Sequence, residues 1–308
     1  MVAVELDFEK YIAQQKTAEE QRPGAAYAYP GDQKVLRTLA KVTPVRLAAE
    51  ATVRLWKSVA KNEILGTSVK VTERQFPELH QLAIDCAQRL DIPTPTIYVA
   101  PNVGELNAHT FGTEEDSFIV LNGVLIDHLS IDELRFVVGH ECGHVHNNHV
   151  VYTTTLYYLL YSANVFVRWI VHPAVLALQS WARRAEITCD RAGMLCTSDA
   201  TVAERALAKL ALGSKKLADR VDIDEYVKQM HEGQTGVGRV AEFFRSHPYL
   251  PKRLAALKLF AQTHFYLRAT DQLGEDETLG HSLNWCDAEV AKIVRVFGST
   301  TSDEAKER

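Results

Sequence analysis

The stretch Val137-Val138-Gly139-His140-Glu141-Cys142-Gly143-His144 constrains this chain more than any other. It sets two imidazoles and a carboxylate in the pattern HExxH within a strongly helical run. Residues four apart share a helix face, so His140 and His144 can both direct a ring nitrogen at one metal ion. Glu141 is rotated by about 100° from His140 and stands beside such an ion rather than on it. There a carboxylate can take a proton from an attacking water and later return it to a leaving amine. The flanks support a true helix: Ser130-Ile131-Asp132-Glu133 reads as a capping box, and Leu134, Val137 and Val138 supply an apolar face. The expected metal helix runs over 131–150. Gly139 and Gly143, each one residue before a histidine, lower helix propensity by about 1 kcal/mol apiece relative to Ala. That loss implies close approach of a second helix bringing a further ligand.

Composition sets outer limits. With 308 residues, 46% hydrophobic and 24% charged, the chain is ordinary globular material. A net charge of -5 without a long basic run excludes nucleic acid as an expected partner and leaves protein or peptide. Cys86, Cys142, Cys189, Cys196 and Cys286 form no CxxC pair, and Cys142 lies inside HExxH, so the set reads as reduced thiols of a cytoplasmic protein. Met1 to Lys10 lacks the basic and then apolar run of a signal peptide.

Along the chain, residues 1–34 are punctuated by Pro and Gly and read as a loosely ordered arm. Residues 35–298 read as a single domain of mainly α fold with a small β-sheet. Its helical N-terminal part breaks near Pro44, and Pro77 is a plausible first helical residue of the next helix. The period then changes to that of strands over about 96–121, with a hairpin signal at 112–116. Asn107 and Ala108 begin the strand expected to hold an extended substrate by main-chain pairing. After the metal helix comes the apolar segment 150–178, interrupted by Arg168, His172 and Pro173. It is too short to cross a membrane and return, so a helical hairpin packed on the catalytic core is expected, either wholly buried or exposing tyrosines and Trp169 as a contact to a membrane surface or a second copy. A helix over 181–196 and an α-rich C-terminal part follow, and the polar tail 299–308 reads as disordered.

Zinc needs a third protein ligand. The metzincin continuation fails, because Asn147 and Val150 stand where its Gly and last His would be. The best candidate is Glu186 in Arg184-Ala185-Glu186-Ile187-Thr188-Cys189-Asp190-Arg191-Ala192-Gly193. Asp190, one turn on, can accept the free N–H of a ligating histidine.

Taken together, Asp132-Glu133-Leu134 leading into the HExxH motif, then Glu186-Ile187-Thr188-Cys189-Asp190-Arg191-Ala192, then Ser246-His247-Pro248 with Arg253, resemble the HtpX-like and CAAX prenyl endopeptidase family of gluzincin metallopeptidases. The resemblance runs from about Thr96 to Leu257. It implies one zinc per chain on His140, His144 and Glu186, Glu141 as general base, and a substrate edge at Asn107-Ala108. It also implies that His247 and Arg253 return to the site from the C-terminal side, His247 to stabilise the oxyanion. Cys142 departs from the aliphatic residue usual inside the motif, and no membrane span precedes the metal helix.

The expected activity is therefore zinc-dependent endopeptidase. A catalytically idle zinc-binding regulator that holds peptides in the cleft is the alternative, and an intact Glu141 argues against it. No acidic motif for an N-terminal amine marks an aminopeptidase. His80, His109, His128, His146, His149, His231, His264 and His281 have no partner motif and read as surface or packed side chains.

Overall fold

A computed structural model of the chain describes residues 25–55, 61–101, 106–113, 116–161, 165–228, 250–273 and 280–294. The fold is mainly α with one small four-stranded sheet. In chain order the described elements begin with α1 (Pro30–Leu39), α2 (Thr43–Leu55), α3 (Lys61–Thr67), β1 (Val69–Lys70), α4 (Pro77–Leu90) and β2 (Thr96–Ala100). Then come β3 (Ala108–Gly112), β4 (Ser117–Asn122), α5 (Gly123–His128), α6 (Ile131–His146), α7 (Val150–Tyr161) and α8 (Val165–Thr197). The C-terminal part comprises α9 (Ala200–Leu212), α10 (Lys215–Ala218), α11 (Ile223–Lys228), α12 (Leu250–Ala261), α13 (His264–Ala269) and α14 (Leu283–Val294).

Local signals account for most of these boundaries. Pro44 falls in the first turn of α2 and Pro77 opens α4, as a residue without a backbone N–H can. Ser130 caps α6, with Glu133 reaching back to its N–H at 2.7 Å. Gly213, in left-handed conformation, ends α9.

The sheet runs in the order β1-β2-β4-β3, with β2 and β4 parallel and the other two pairs antiparallel, so β3 is an edge strand among the described residues. Side chains alternate between its faces. Ile97, Ala108, Ile119 and Leu121 enter a core that includes Val137, Val138 and Leu134 of α6. Phe111, Phe118 and Val120 face the other way, towards Tyr98, Tyr157 and Tyr158. A second core joins α1 and α2 to the α7–α8 hairpin: Leu36, Leu39, Val45 and Ala48 pack with Tyr152, Leu156, Leu178 and Trp181.

Three expected boundaries shift. The metal helix ends at His146, not at residue 150, because Asn147 folds its side chain onto Gly143 O (2.9 Å) and Asn148 takes a left-handed conformation (φ 57°). The hairpin's second arm and the helix expected over 181–196 are one 33-residue helix, α8, with Pro173 inside it. A proline there removes the bond to the carbonyl four residues earlier and crowds that carbonyl, yet the helix runs on into Ala174, Leu178 and Trp181, which are buried in the second core. Residues 25–34 are not loose: Tyr27, Tyr29 and Asp32 are buried, and α1 starts at Pro30. The remainder of that expected arm, 1–24, and the tail 299–308 lie outside the described residues. No helix among the described residues is long and apolar enough to cross a membrane. The α7 arm packs on the sheet, with Tyr157 against Phe111 at 4.9 Å between ring centroids, while the side chain of Trp169 lies outside the described residues.

Candidate metal centre

The site lies where α6 crosses α8. A Cβ added at Gly139 would stand 2.7 Å from Cys196 Cβ, and one at Gly143 would stand 2.8 Å from Ala192 Cβ and 3.0 Å from Cys189 Cα. The two glycines thus let the helices meet backbone to backbone, which accounts for their presence in α6. This crossing brings Glu186 and Asp190 of α8 onto the face that carries His140 and His144.

Both imidazoles are buried, His140 at 7% and His144 at 6% exposure. The Glu186 carboxylate lies 3.7 Å from His140 Nε2 through Oε2 and 3.8 Å from His144 Nε2 through Oε1. In a tetrahedral site with bonds of about 2.1 Å, neighbouring donors stand roughly 3.4 Å apart, so the Glu186 carboxylate stands close to donor spacing from each histidine. Each ring's other nitrogen is engaged on the side away from Glu186. His140 Nδ1 is 3.0 Å from Asp190 Oδ1, and His144 Nδ1 is 3.2 Å from His149 Nδ1.

Cys189 gives a competing triad with the same two histidines, because its Sγ also lies close to their ring nitrogens. Two observations favour Glu186. Cys189 Sγ is 3.7 Å from His149 Nδ1, which puts it behind the Nδ1 edge of His144. Burial also pushes its thiol well up, and Glu186, Asp32, Glu141 and Asp190 add to the effect, so an ion binding there would first have to displace a tightly held proton.

Arg253 binds both acidic residues of α8. Its Nη1 is 3.0 Å from Glu186 Oε2, and Nε and Nη2 donate to Asp190 at 2.8 Å and 2.5 Å. Burial would raise the Asp190 carboxyl, but Arg253 and His140 hold it below the usual carboxylate range. Burial likewise disfavours charge on His140, and Glu186 with Asp190 outweigh it, so the ring binds a proton more tightly than a free imidazole. The nearby Arg253 works against that shift on His140, and the two carboxylates outweigh it.

Glu141 is 5% exposed and points to the sheet. Thr110 Oγ1 of β3 donates to its Oε2 at 2.6 Å and lies 3.2 Å from its carbonyl oxygen. The strand alternation that sends His109 and Phe111 towards Tyr157 sends Thr110 towards α6. The main chain of β3 follows the same alternation. Asn122 N–H donates to Asn107 O within the ladder, which turns the N–H and C=O groups of Ala108, Thr110 and Gly112 to the outer edge. There Gly112 N–H meets Thr154 Oγ1 at 3.1 Å, and Ala108 N–H meets the Asn107 side chain at 2.9 Å.

The structure thus brings together His140, Glu141, His144, Glu186, Asp190 and Arg253, and sets Asn107 and Ala108 at the head of an edge strand. His247 lies outside the described residues. Thr110, His149 and Asp32 escaped the sequence reading. His149, expected to be a surface or packed side chain, is fully buried against His144. The Asn147-Asn148 pair just before it was the available signal, since it ends the helix and turns His149 back. Thr110 and Asp32 carry no local signal, because a long-range contact makes each of them relevant.

Residues 73–261 match the sequence profile of peptidase family M48. A protein of Arabidopsis thaliana named plastoglobule-localized metallopeptidase 48, chloroplastic, is 36% identical over 171 residues, covering 54% of this chain and 49% of the relative. A protease HtpX homolog of Bifidobacterium longum is 25% identical, covering 62% of this chain and 73% of the relative. One from an Arthrobacter species is 26% identical, covering 62% and 75%. The chain therefore spans about half the length of the Arabidopsis protein. No solved structure matches.

Proposed function

The chain belongs to peptidase family M48, and from that premise we propose that it is a zinc-dependent endopeptidase with Glu141 as general base. The reading is carried by one observation, the Glu186 carboxylate at 3.7 Å and 3.8 Å from the two Nε2 atoms. When bound, a zinc ion supplies Lewis acidity that makes water nucleophilic near neutral pH and polarises a carbonyl. His140 and His144 offer their Nε2 atoms, Glu186 offers the third donor, and Asp190 fixes the tautomer of His140. Glu141, oriented by Thr110, takes the proton of the attacking water and hands it to the departing amine. An idle peptide-holding protein would have no use for a carboxylate clasped in that position. The outer edge of β3, beginning at Asn107 and Ala108, pairs with an extended protein or peptide substrate on both sides of the cleaved bond, which favours an endopeptidase. His247 is assigned the oxyanion. Five free thiols suit a reducing, cytoplasmic setting. Within it, α7 and the start of α8 make any contact with a membrane surface or a second copy.

Metal analysis combined with an unbiased peptide-cleavage profile tests the assignment. Glu141→Gln is expected to retain one zinc per chain and to lose at least ~10²-fold in cleavage rate, whereas Glu186→Ala loses the metal itself. Normal cleavage by Glu141→Gln would refute the mechanism.

A further inference from the structure

The two histidines of the metal centre are not supported alike. His140 has a carboxylate directly behind it, Asp190 Oδ1 at 3.0 Å from Nδ1. Behind His144 stands a second imidazole, His149, whose Nδ1 is 3.2 Å from His144 Nδ1. The other nitrogen of that ring, Nε2, is 3.1 Å from Asp32 Oδ2, close but short of hydrogen-bond alignment in this conformation. His149 and Asp32 are both fully buried, and a buried ring N–H needs an acceptor.

From this geometry we infer that His149 and Asp32 are positioning residues for the metal site, forming a relay that does for His144 what Asp190 does for His140. The inference rests on the reading of His144 as a zinc ligand through Nε2. Given that role, Nδ1 of His144 carries the proton and must donate it. The atom it meets is His149 Nδ1, which can accept only if the His149 proton is on Nε2, and Nε2 faces Asp32. One tautomer of each ring satisfies the chain from the ligand through His149 to the carboxylate, and the carboxylate selects that tautomer.

Asp32 is suited to the task because it is anchored from both oxygens. Oδ1 accepts from Trp181 Nε1 at 2.8 Å, and Oδ2 accepts from Thr188 Oγ1 at 2.7 Å, while Thr188 Oγ1 in turn accepts from Tyr29 N–H at 3.1 Å. Trp181 also packs its ring edge-on to His149, with centroids 5.2 Å apart. An amide in place of Asp32 could offer an acceptor oxygen to donors on one side only. Asp32 lies well before residue 73, so a segment outside the family match completes the metal site from the N-terminal side.

Two measurements test the relay. In zinc-loaded protein of natural sequence, histidine ¹⁵N NMR is expected to show His149 as the Nε2–H tautomer, and an Nδ1–H tautomer overturns the inference. Zinc dissociation constants, read by chelator competition on full-length protein, supply the second. Asp32→Asn and His149→Phe are expected to weaken zinc binding by about 10- to 100-fold each, and the double variant by no more than the worse single one, because both remove the same relay. Trp181→Phe removes one anchor of Asp32 but keeps every atom of the relay, so its loss of zinc affinity is expected to be smaller than that of Asp32→Asn. Unchanged affinity in both Asp32→Asn and His149→Phe overturns the proposal, and so does a loss in Trp181→Phe equal to that in Asp32→Asn. His144→Ala separates the layers. If it loses zinc while the relay variants do not, only this inference falls. If it keeps zinc, the ligand assignment falls as well. A variant that fails to fold leaves the NMR measurement to decide.

Discussion

The core around α6 and the core around Trp181 are built differently, although both border the metal centre. The first is a crossing of two helices at glycine distance, backed by a small sheet, and its ionisable groups are matched locally, as with Asp190 and Arg253. The second joins α1 and α2 to the α7–α8 hairpin through large side chains, and its polar anchor is one aspartate reached by a tryptophan, a threonine and a histidine. The first core fixes where His140, His144 and Glu186 stand. The second closes the rear of one of them, so a segment that carries no ligand still bears on the site.

The largest effect should come from hollowing out the second core. Trp181 is fully buried, and Trp181→Ala is expected to lower stability by about 3–5 kcal/mol. Calorimetry distinguishes two outcomes. One cooperative transition at a lower temperature means that the cores form a single unit, whereas a split transition with the metal-dependent part unmoved would make the second core an accessory.

A smaller loss is expected at the helix crossing. Gly143→Val must push the branched side chain into Ala192 and Cys189, an overpacking effect of about 1–3 kcal/mol, and it should loosen zinc as well because Glu186 rides on the displaced helix. Denaturant melts paired with metal analysis check both consequences. Stability lost with zinc affinity intact would mean that the spacing of α6 and α8 does not set the ligand geometry.

The first core was far more legible in the sequence than the second. HExxH, its capping box, the two glycines and the Glu186-to-Asp190 turn are short-range patterns, and a pattern within one helix turn survives whatever the rest of the chain does. The strands and the hairpin at 112–116 were legible for the same reason. The second core was not. Residues 25–34 look like an arm because Pro and Gly punctuate them, yet Tyr27 donates or accepts at His146 Nδ1 (3.1 Å), and its carbonyl accepts from Arg191 Nη1 (3.1 Å), far away in sequence. Pro173 looks like a stop, yet α8 runs through it, and the turns that follow are buried through Ala174, Leu178 and Trp181, a long-range contact that no local pattern announces. His149 reads as an ordinary histidine because its meaning depends on where the chain turns after Asn148 and on an aspartate contributed from α1.

The smallest effect should fall on the sheet side of the first core, where structure and chemistry can be separated cleanly. Thr110→Val keeps the side chain's shape and strand preference while deleting the hydroxyl that donates to Glu141 Oε2 at 2.6 Å. Thr110 touches neither the histidines nor Glu186 through that hydroxyl, so zinc content should stay at the natural level and the melting temperature should change little. What changes is the orientation of the carboxylate. A hydrogen bond to a charged group contributes about 1.5 kcal/mol or more, and a loss of that size at the base corresponds to roughly a tenfold fall in kcat. KM should remain unchanged, because the backbone edge of β3 proposed to pair with substrate is intact. A parallel loss of zinc would place Thr110 among the residues that hold the metal site together, and an unchanged kcat would show that Glu141 is oriented without help from the sheet.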